Sequence, residues 1–158
     1  MLFDTLIKGG TVVDGTGADA RKADVRIADG KIVEVGENLE KRARERLVDA
    51  SGCYVTPGFI ETHNHYDAPM WWNPNLEPMS GYGVTSSING NCGFTAAPVS
   101  NDPEARDAMI KIFSFFEDIP ITPFRDELPW DWRSWSEYRD SMLEKLRVPV
   151  NMDVVLRW

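Results

Sequence analysis

The sequence predicts an α/β protein in which a small N-terminal β-sandwich segment, residues 1–54, precedes the first part of a (β/α)8 barrel, residues 55–158. Three observations predict it. Residues 3 to 50 hold short β-branched runs punctuated by glycine turns. From Tyr54 the texture changes to apolar runs and helical stripes in the order strand, strand, helix, helix, strand. About 105 residues remain from Tyr54 onward, whereas a closed eight-stranded barrel needs about 250, so the barrel is expected to be incomplete and the chain part of a larger protein.

Composition bounds the function. The chain is 42% apolar and 11% aromatic, enough for a packed core and against wholesale disorder. It carries 17 basic and 25 acidic residues, a net charge of -8. A surface of that sign repels phosphate backbones and anionic membranes, so nucleic acid and membrane are not expected partners. The start, Met1-Leu2-Phe3-Asp4, lacks the basic and apolar regions of a secretory signal, and no run is long enough to span a bilayer; a cytoplasmic location is expected. There, Cys53 and Cys92 are free thiols or metal ligands rather than a disulfide, and Cys53, in an apolar run, reads as a small buried side chain.

In the first segment, Thr5 to Lys8 and Thr11 to Val13 flank Gly9-Gly10, and Asp24 to Ala28 and Lys31 to Val35 flank Asp29-Gly30, the stronger hairpin signal. Gly15-Thr16-Gly17 is a turn, since the spacing, lysine and following helix of a phosphate loop are missing. Glu37 to Arg46 is charged and reads as a helical turn or a solvated connection. Leu47-Val48-Asp49 is a last short strand.

In the second segment, Val55 to Thr62 is the first strand, a short apolar run read as buried, and Gly83 to Asn89 is the second. Trp71 and Trp72, between them, either wall a pocket or pack against the next element. A helix capped by Asp102 with Pro103 at its first position carries an apolar stripe of Ala105, Met109, Ile112, Phe113 and Phe116. Pro120, Pro123 and Pro129 argue against regular structure until Ser134, which has capping-box spacing to Glu137. The helix that follows presents Trp135, Tyr138, Met142, Leu143 and Leu146. Val150 to Leu156 is a third strand.

Chemistry concentrates in Pro57-Gly58-Phe59-Ile60-Glu61-Thr62-His63-Asn64-His65-Tyr66-Asp67, which holds both histidines of the chain. Side chains alternate along a strand, so His63, His65 and Asp67 project to one side if the extended backbone continues that far. Two imidazoles and a carboxylate converging on a point suit a divalent metal; a polar loop is the alternative. The second strand ends in Gly90-Asn91-Cys92-Gly93. In a parallel barrel the C-terminal ends of neighbouring strands lie side by side, which brings Cys92 beside the histidines as a third metal ligand, and sulfur with two nitrogens favours zinc. A buried structural thiol and a cysteine nucleophile compete for Cys92; the second leaves the His-x-His-x-Asp spacing unexplained.

With Lys8 to Gly17, Val55 to Ile60 and His63 to Asp67, the chain resembles the N-terminal part of metal-dependent amidohydrolases. Gly83-Val84-Thr85, Gly90-Asn91-Cys92-Gly93, Glu117-Asp118-Ile119-Pro120 and Trp130-Asp131-Trp132 narrow the resemblance to the N-acyl-D-amino-acid deacylase (D-aminoacylase) group.

That resemblance implies a β-sandwich beside a (β/α)8 barrel, with one or two zinc ions (Zn2+) at the C-terminal strand ends. His63 and His65 match the first-strand metal pair. Cys92 stands where related amidohydrolases use a carboxylated lysine, and Asp67 takes the acidic position after the histidines as the catalytic candidate within the chain. Further histidine ligands and the general base are expected beyond the chain end. The implied reaction is hydrolysis of a linear amide in a small-molecule N-acyl amino acid. Two alternatives stand beside it: a non-catalytic fragment or degenerate paralogue with weak metal binding, and a cyclic-amide hydrolase of the dihydroorotase or hydantoinase kind, against which Cys92 argues.

Overall fold

A computed structural model describes residues 4–148 and 151–154, with side chains as far as Val148. It separates into two compact units that divide between Pro57 and Gly58.

The first unit is a five-stranded sheet of β1 (Thr5–Val12), β2 (Arg21–Ala28), β3 (Lys31–Gly36), β4 (Arg46–Asp49) and β5 (Tyr54–Val55). The order is β3-β2-β1-β4, with β5 also on β1. The hairpin at Asp29-Gly30 forms as expected: Ala28 faces Lys31, and both turn residues have positive φ (49° and 73°), as a two-residue primed turn requires. Gly9-Gly10, read as a turn, instead lies within one continuous strand as an irregularity in the β1–β2 register. Gly9 (φ 80°) donates its N–H to Asp24 Oδ1 at 2.8 Å, so the glycines bend a strand rather than reverse it. Burial opposes ionisation of Asp24, but N–H donors from Gly9 and Leu39 and the Lys8 ammonium outweigh it and hold the carboxyl below its usual range.

Val12, Ala23 and Val25 form the small core of this unit. The charged stretch before β4 is not helical, and it delivers Glu45 into the interior, where its Oε1 accepts Arg26 Nε at 2.7 Å. The Arg42 N–H, followed by Arg26, holds the Glu45 carboxyl low. Cys53, expected to be buried, is exposed, because it follows the turn at Ser51-Gly52 and serves the fold through its carbonyl, which accepts the Thr11 N–H at 2.9 Å.

The second unit holds three parallel strands, β6 (Phe59–Asn64), β7 (Val84–Asn89) and β8 (Asn151–Val154), in that order. The strand expected over Val55 to Thr62 is therefore two pieces, one in each unit, separated around Pro57, which has no N–H to give a ladder. β6 is an edge strand, and Phe59 and Ile60, read as buried, are exposed. β8 lies within the expected third strand; Val150, Val155 and Leu156 fall outside the described residues.

Gly58 leads into β6 against Thr85 of β7. A Cβ at Gly58 would sit 2.6 Å from the Thr85 Cβ and closer still to the rest of that side chain. Gly58→Ala is expected to destabilise the chain by about 1–3 kcal/mol through overpacking, read as a lower denaturant midpoint; an unchanged midpoint would show that the strands separate freely here.

Among the described residues the unit also contains the α-helices α1 (Pro103–Glu117), α2 (Ile121–Asp126) and α3 (Trp135–Lys145). Asp102 caps α1 by accepting the Glu104 N–H at 2.9 Å. Its buried residues are Ile110 and Phe113, whereas Ile112 and Phe116 of the expected stripe are exposed. The helix carries more apolar residues than one face holds, and contact with Phe124 (ring centroids 5.3 Å from Phe113) selects the face. α2 occupies a region read as irregular. Pro120 is its N-cap and Pro123 lies in its first turn, where the missing N–H removes no helical bond.

Ser134 and Glu137 form the expected capping box of α3. Tyr138 is buried, but Leu143 faces solvent while Ser141 turns inward to donate to Asp131 Oδ1 at 2.9 Å. The core of the unit is aromatic. Trp132 stacks on Trp71 (5.4 Å) and meets Tyr138 edge-on (4.9 Å).

Candidate metal centre

β6 and β7 pair in parallel, with Asn64 opposite Asn89, so the segments leaving their C-terminal ends start side by side. His63 is on β6. The strand ends at Asn64, and His65 begins the departing loop. Asn64 holds that exit in place: its Nδ2 donates to Ser87 Oγ on β7 at 2.8 Å, and its Oδ1 accepts the Tyr66 N–H at 3.1 Å. After β7, Gly90 (φ 74°) and Gly93 (φ 99°) close a turn through the Gly93 N–H to Gly90 carbonyl bond (3.0 Å). Asn91 Nδ2 ties the turn back to the Thr62 carbonyl at 3.0 Å. Cys92 is thus delivered to the histidines by local turn chemistry.

The ligand atoms of His63, His65 and Cys92 all lie within 4.8 Å of one another. Cys92 Sγ is 3.3 Å from His65 Nε2. His65 is buried, edge-on to Phe113 with ring centroids 5.5 Å apart, while His63 and Cys92 face solvent. Two imidazoles and a thiol brought this close fit a zinc site chemically: each offers one donor atom of the kind zinc takes, and a four-coordinate shell has one further position to fill.

Asp67 lies outside this group. The alternation that was to carry it to the same side stops at Asn64, and the chain turns. Asp67 is fully buried, its Oδ2 accepts the Ala96 N–H at 2.5 Å, and its carbonyl accepts the Tyr138 hydroxyl at 2.7 Å. Burial pushes its carboxyl up against the opposing pull of the Ala96 N–H. Burial, then the Asp67 charge, pushes the Tyr138 hydroxyl well above its ordinary value. In this position Asp67 anchors the loop after His65 to the chain following Cys92.

A pocket of about 460 Å³ opens beside the histidines, walled by Tyr66, Trp72 and Ile119 and carrying the carboxylates of Glu77, Glu117 and Asp118. Trp71 packs against the core, and Trp72 does both, lining the pocket while its ring lies 6.2 Å from that of Phe124. None of the described residues lining the pocket is Lys or Arg. Glu117 was missed as a site residue: its Oε1 is 3.5 Å from His65 Nε2. The available signal was its position, since a carboxylate on the last residue of a helix opposes the macrodipole and so calls for another reason to be there.

Comparison with known proteins adds the following. The amidohydrolase family model matches residues 46–151. A D-aminoacylase of Alcaligenes xylosoxydans xylosoxydans is 37% identical over 109 residues, 68% of this chain and 22% of that protein. An N-acyl-D-glutamate deacylase of the same organism is 43% identical over 95 residues, 60% of this chain and 19% of that one. Among solved structures, the N-acyl-D-glutamate deacylase of Bordetella bronchiseptica, complexed with zinc and a phosphonate mimic of the tetrahedral intermediate, superposes with a TM-score of 0.72 at 31% identity, covering 98% of this chain and 29% of that chain. The chain thus spans about a fifth of the length of these curated relatives.

Proposed function

Because this chain belongs to the amidohydrolase family, we propose that it carries the first metal-binding strands of a zinc hydrolase that cleaves the linear amide of N-acyl-D-amino acids. One observation carries the reading: His63, His65 and Cys92 converge within 4.8 Å at the ends of adjacent parallel strands. The similarity to deacylases of N-acyl-D-amino acids supports the substrate class. The three parallel strands are consistent with the opening of a barrel, whose later strands would supply the remaining donors and the general base.

Held by His63, His65 and Cys92, zinc would lower the pKa of a bound water from 15.7 toward about 7 and would polarise an amide carbonyl. The chain's own residues provide the rest. His65, walled by Phe113 and Phe94 (ring centroids 5.5 and 6.4 Å), is fixed in orientation before any ligand arrives. Asn64 and Asn91 lock the two ligand-bearing turns to the strands. Trp72 and Ile119 give the pocket apolar wall suited to an acyl chain.

The test is to incubate the zinc-loaded protein carrying this sequence with N-acetyl-D-amino acids, their L counterparts and a hydantoin. Release of acetate and free D-amino acid alone is expected. Ring opening of the hydantoin with no release from the linear amides would replace the substrate class proposed here.

A further inference from the structure

The fold uses one carboxylate oxygen of the fully buried Asp67 and leaves the other over. Oδ2 accepts the Ala96 N–H at 2.5 Å, whereas Oδ1 is buried with no hydrogen-bond partner among the described residues. A second orphan lies two residues back. His65 Nδ1 is buried and equally without a partner among the described residues, while Nε2 of the same ring faces Cys92 Sγ at 3.3 Å. The two groups act on each other: burial pushes the Asp67 carboxyl up, and the Ala96 N–H, then His65, then the Thr95 hydroxyl oppose it.

A neutral imidazole that gives Nε2 to a metal keeps its proton on Nδ1, and a buried N–H without an acceptor is destabilising. One orphan is thus a donor and the other an acceptor. We propose that Asp67 is a positioning residue of the metal centre, its Oδ1 accepting the His65 Nδ1–H while its Oδ2 holds the chain that follows Cys92. This rests on the metal reading above and deepens it. A single carboxylate then fixes the tautomer and orientation of His65, as partners of metal-binding histidines do, and ties the two ligand-bearing segments to each other. The clamp is itself held on both sides: Tyr138 donates its hydroxyl to the Asp67 carbonyl at 2.7 Å, and Trp132 Nε1–H donates to the Ala96 carbonyl at 2.9 Å. The His-x-His-x-Asp spacing acquires a meaning different from three ligands in a row, since its third member stands behind the second.

The experiment uses the full 158-residue chain, labelled with nitrogen-15 and loaded with zinc. Long-range proton–nitrogen NMR correlation shows which ring nitrogen of His65 carries the proton, and competition against a chromophoric chelator gives the zinc affinity. In the parent the proton is expected on Nδ1 and protected from exchange with solvent. Asp67→Asn keeps an oxygen for the Ala96 N–H but turns an amide N–H toward Nδ1. It is expected to retain the far-ultraviolet circular dichroism of the metal-free parent, to lose the protection of the ring proton and to bind zinc about ten-fold or more weakly. A His65 proton on Nε2 in the zinc-loaded parent, or an Nδ1 proton there that exchanges freely, would overturn the inference whether or not the variant folds. Parental zinc affinity in folded Asp67→Asn would overturn it as well, and each of these results leaves the three-residue centre intact. Failure of the parent chain to bind zinc would remove both.

Discussion

Trp132→Ala is expected to lower the stability of the chain by about 3–5 kcal/mol, the cost of truncating a fully buried tryptophan whose neighbours cannot close the space. Trp132 has 0% exposure. Its indole stacks with Trp71, contacts Trp130 (ring centroids 5.7 Å) and meets Tyr138, three aromatics from three separate stretches of chain. It also donates Nε1–H to the Ala96 carbonyl at 2.9 Å. Ala96 is in turn the residue whose N–H binds Asp67, so losing Trp132 loosens the loop that follows His65 as well as the core.

Denaturant unfolding followed by circular dichroism gives the number. Trp132→Phe, which keeps part of the ring and loses the hydrogen bond, is expected to fall between the parent and the alanine variant. Phe115→Ala, at a residue 82% exposed, is expected to change stability by no more than about 0.5 kcal/mol. A loss below about 1.5 kcal/mol for Trp132→Ala would be incompatible with the packing described, because even modest core truncations of this size cost more.

What the sequence made legible was local chemistry. The Asp29-Gly30 hairpin, the Asp102 cap and the Ser134–Glu137 capping box each depend on residues within four positions of one another, and each formed. The convergence of Cys92 with the histidines was also accessible, because a rule about parallel strands turns two sequence-distant motifs into neighbours. Gly9-Gly10 failed for a definite reason: a glycine pair permits positive φ but does not say whether the strand bends or reverses, and the Asp24 carboxylate that fixes the bend lies 15 residues away. The buried Arg26–Glu45 pair was hidden in the same way, since a charge in a charged stretch carries no mark of where tertiary packing will take it. Asp67 was aligned with the histidines by a period of two that holds only while the strand lasts. Glu117 needed both the end of α1 and the orientation of His65, neither of which any short window of sequence contains.

Cys92→Ala is expected to weaken zinc binding by at least a hundred-fold, about 2.7 kcal/mol, since the only sulfur donor of the group is lost. Thiolate is the softest donor present, and its removal leaves two imidazoles, a set that discriminates less sharply for zinc over harder cations. Geometry sharpens the expectation: Cys92 is held against His65 by a turn whose two positive-φ glycines and Asn91 tether persist when the thiol is removed, so the variant tests the sulfur and not the loop. Cys53→Ala is the matched control, an exposed cysteine in the other unit, and is expected to leave affinity unchanged. Cobalt(II) loading supplies an independent reading, because sulfur ligation gives a near-ultraviolet thiolate-to-metal charge-transfer band that is expected in the parent and in Cys53→Ala and absent in Cys92→Ala. Retention of that band in Cys92→Ala, or its loss in Cys53→Ala, would assign the metal to a different sulfur and dismantle the centre at the strand ends.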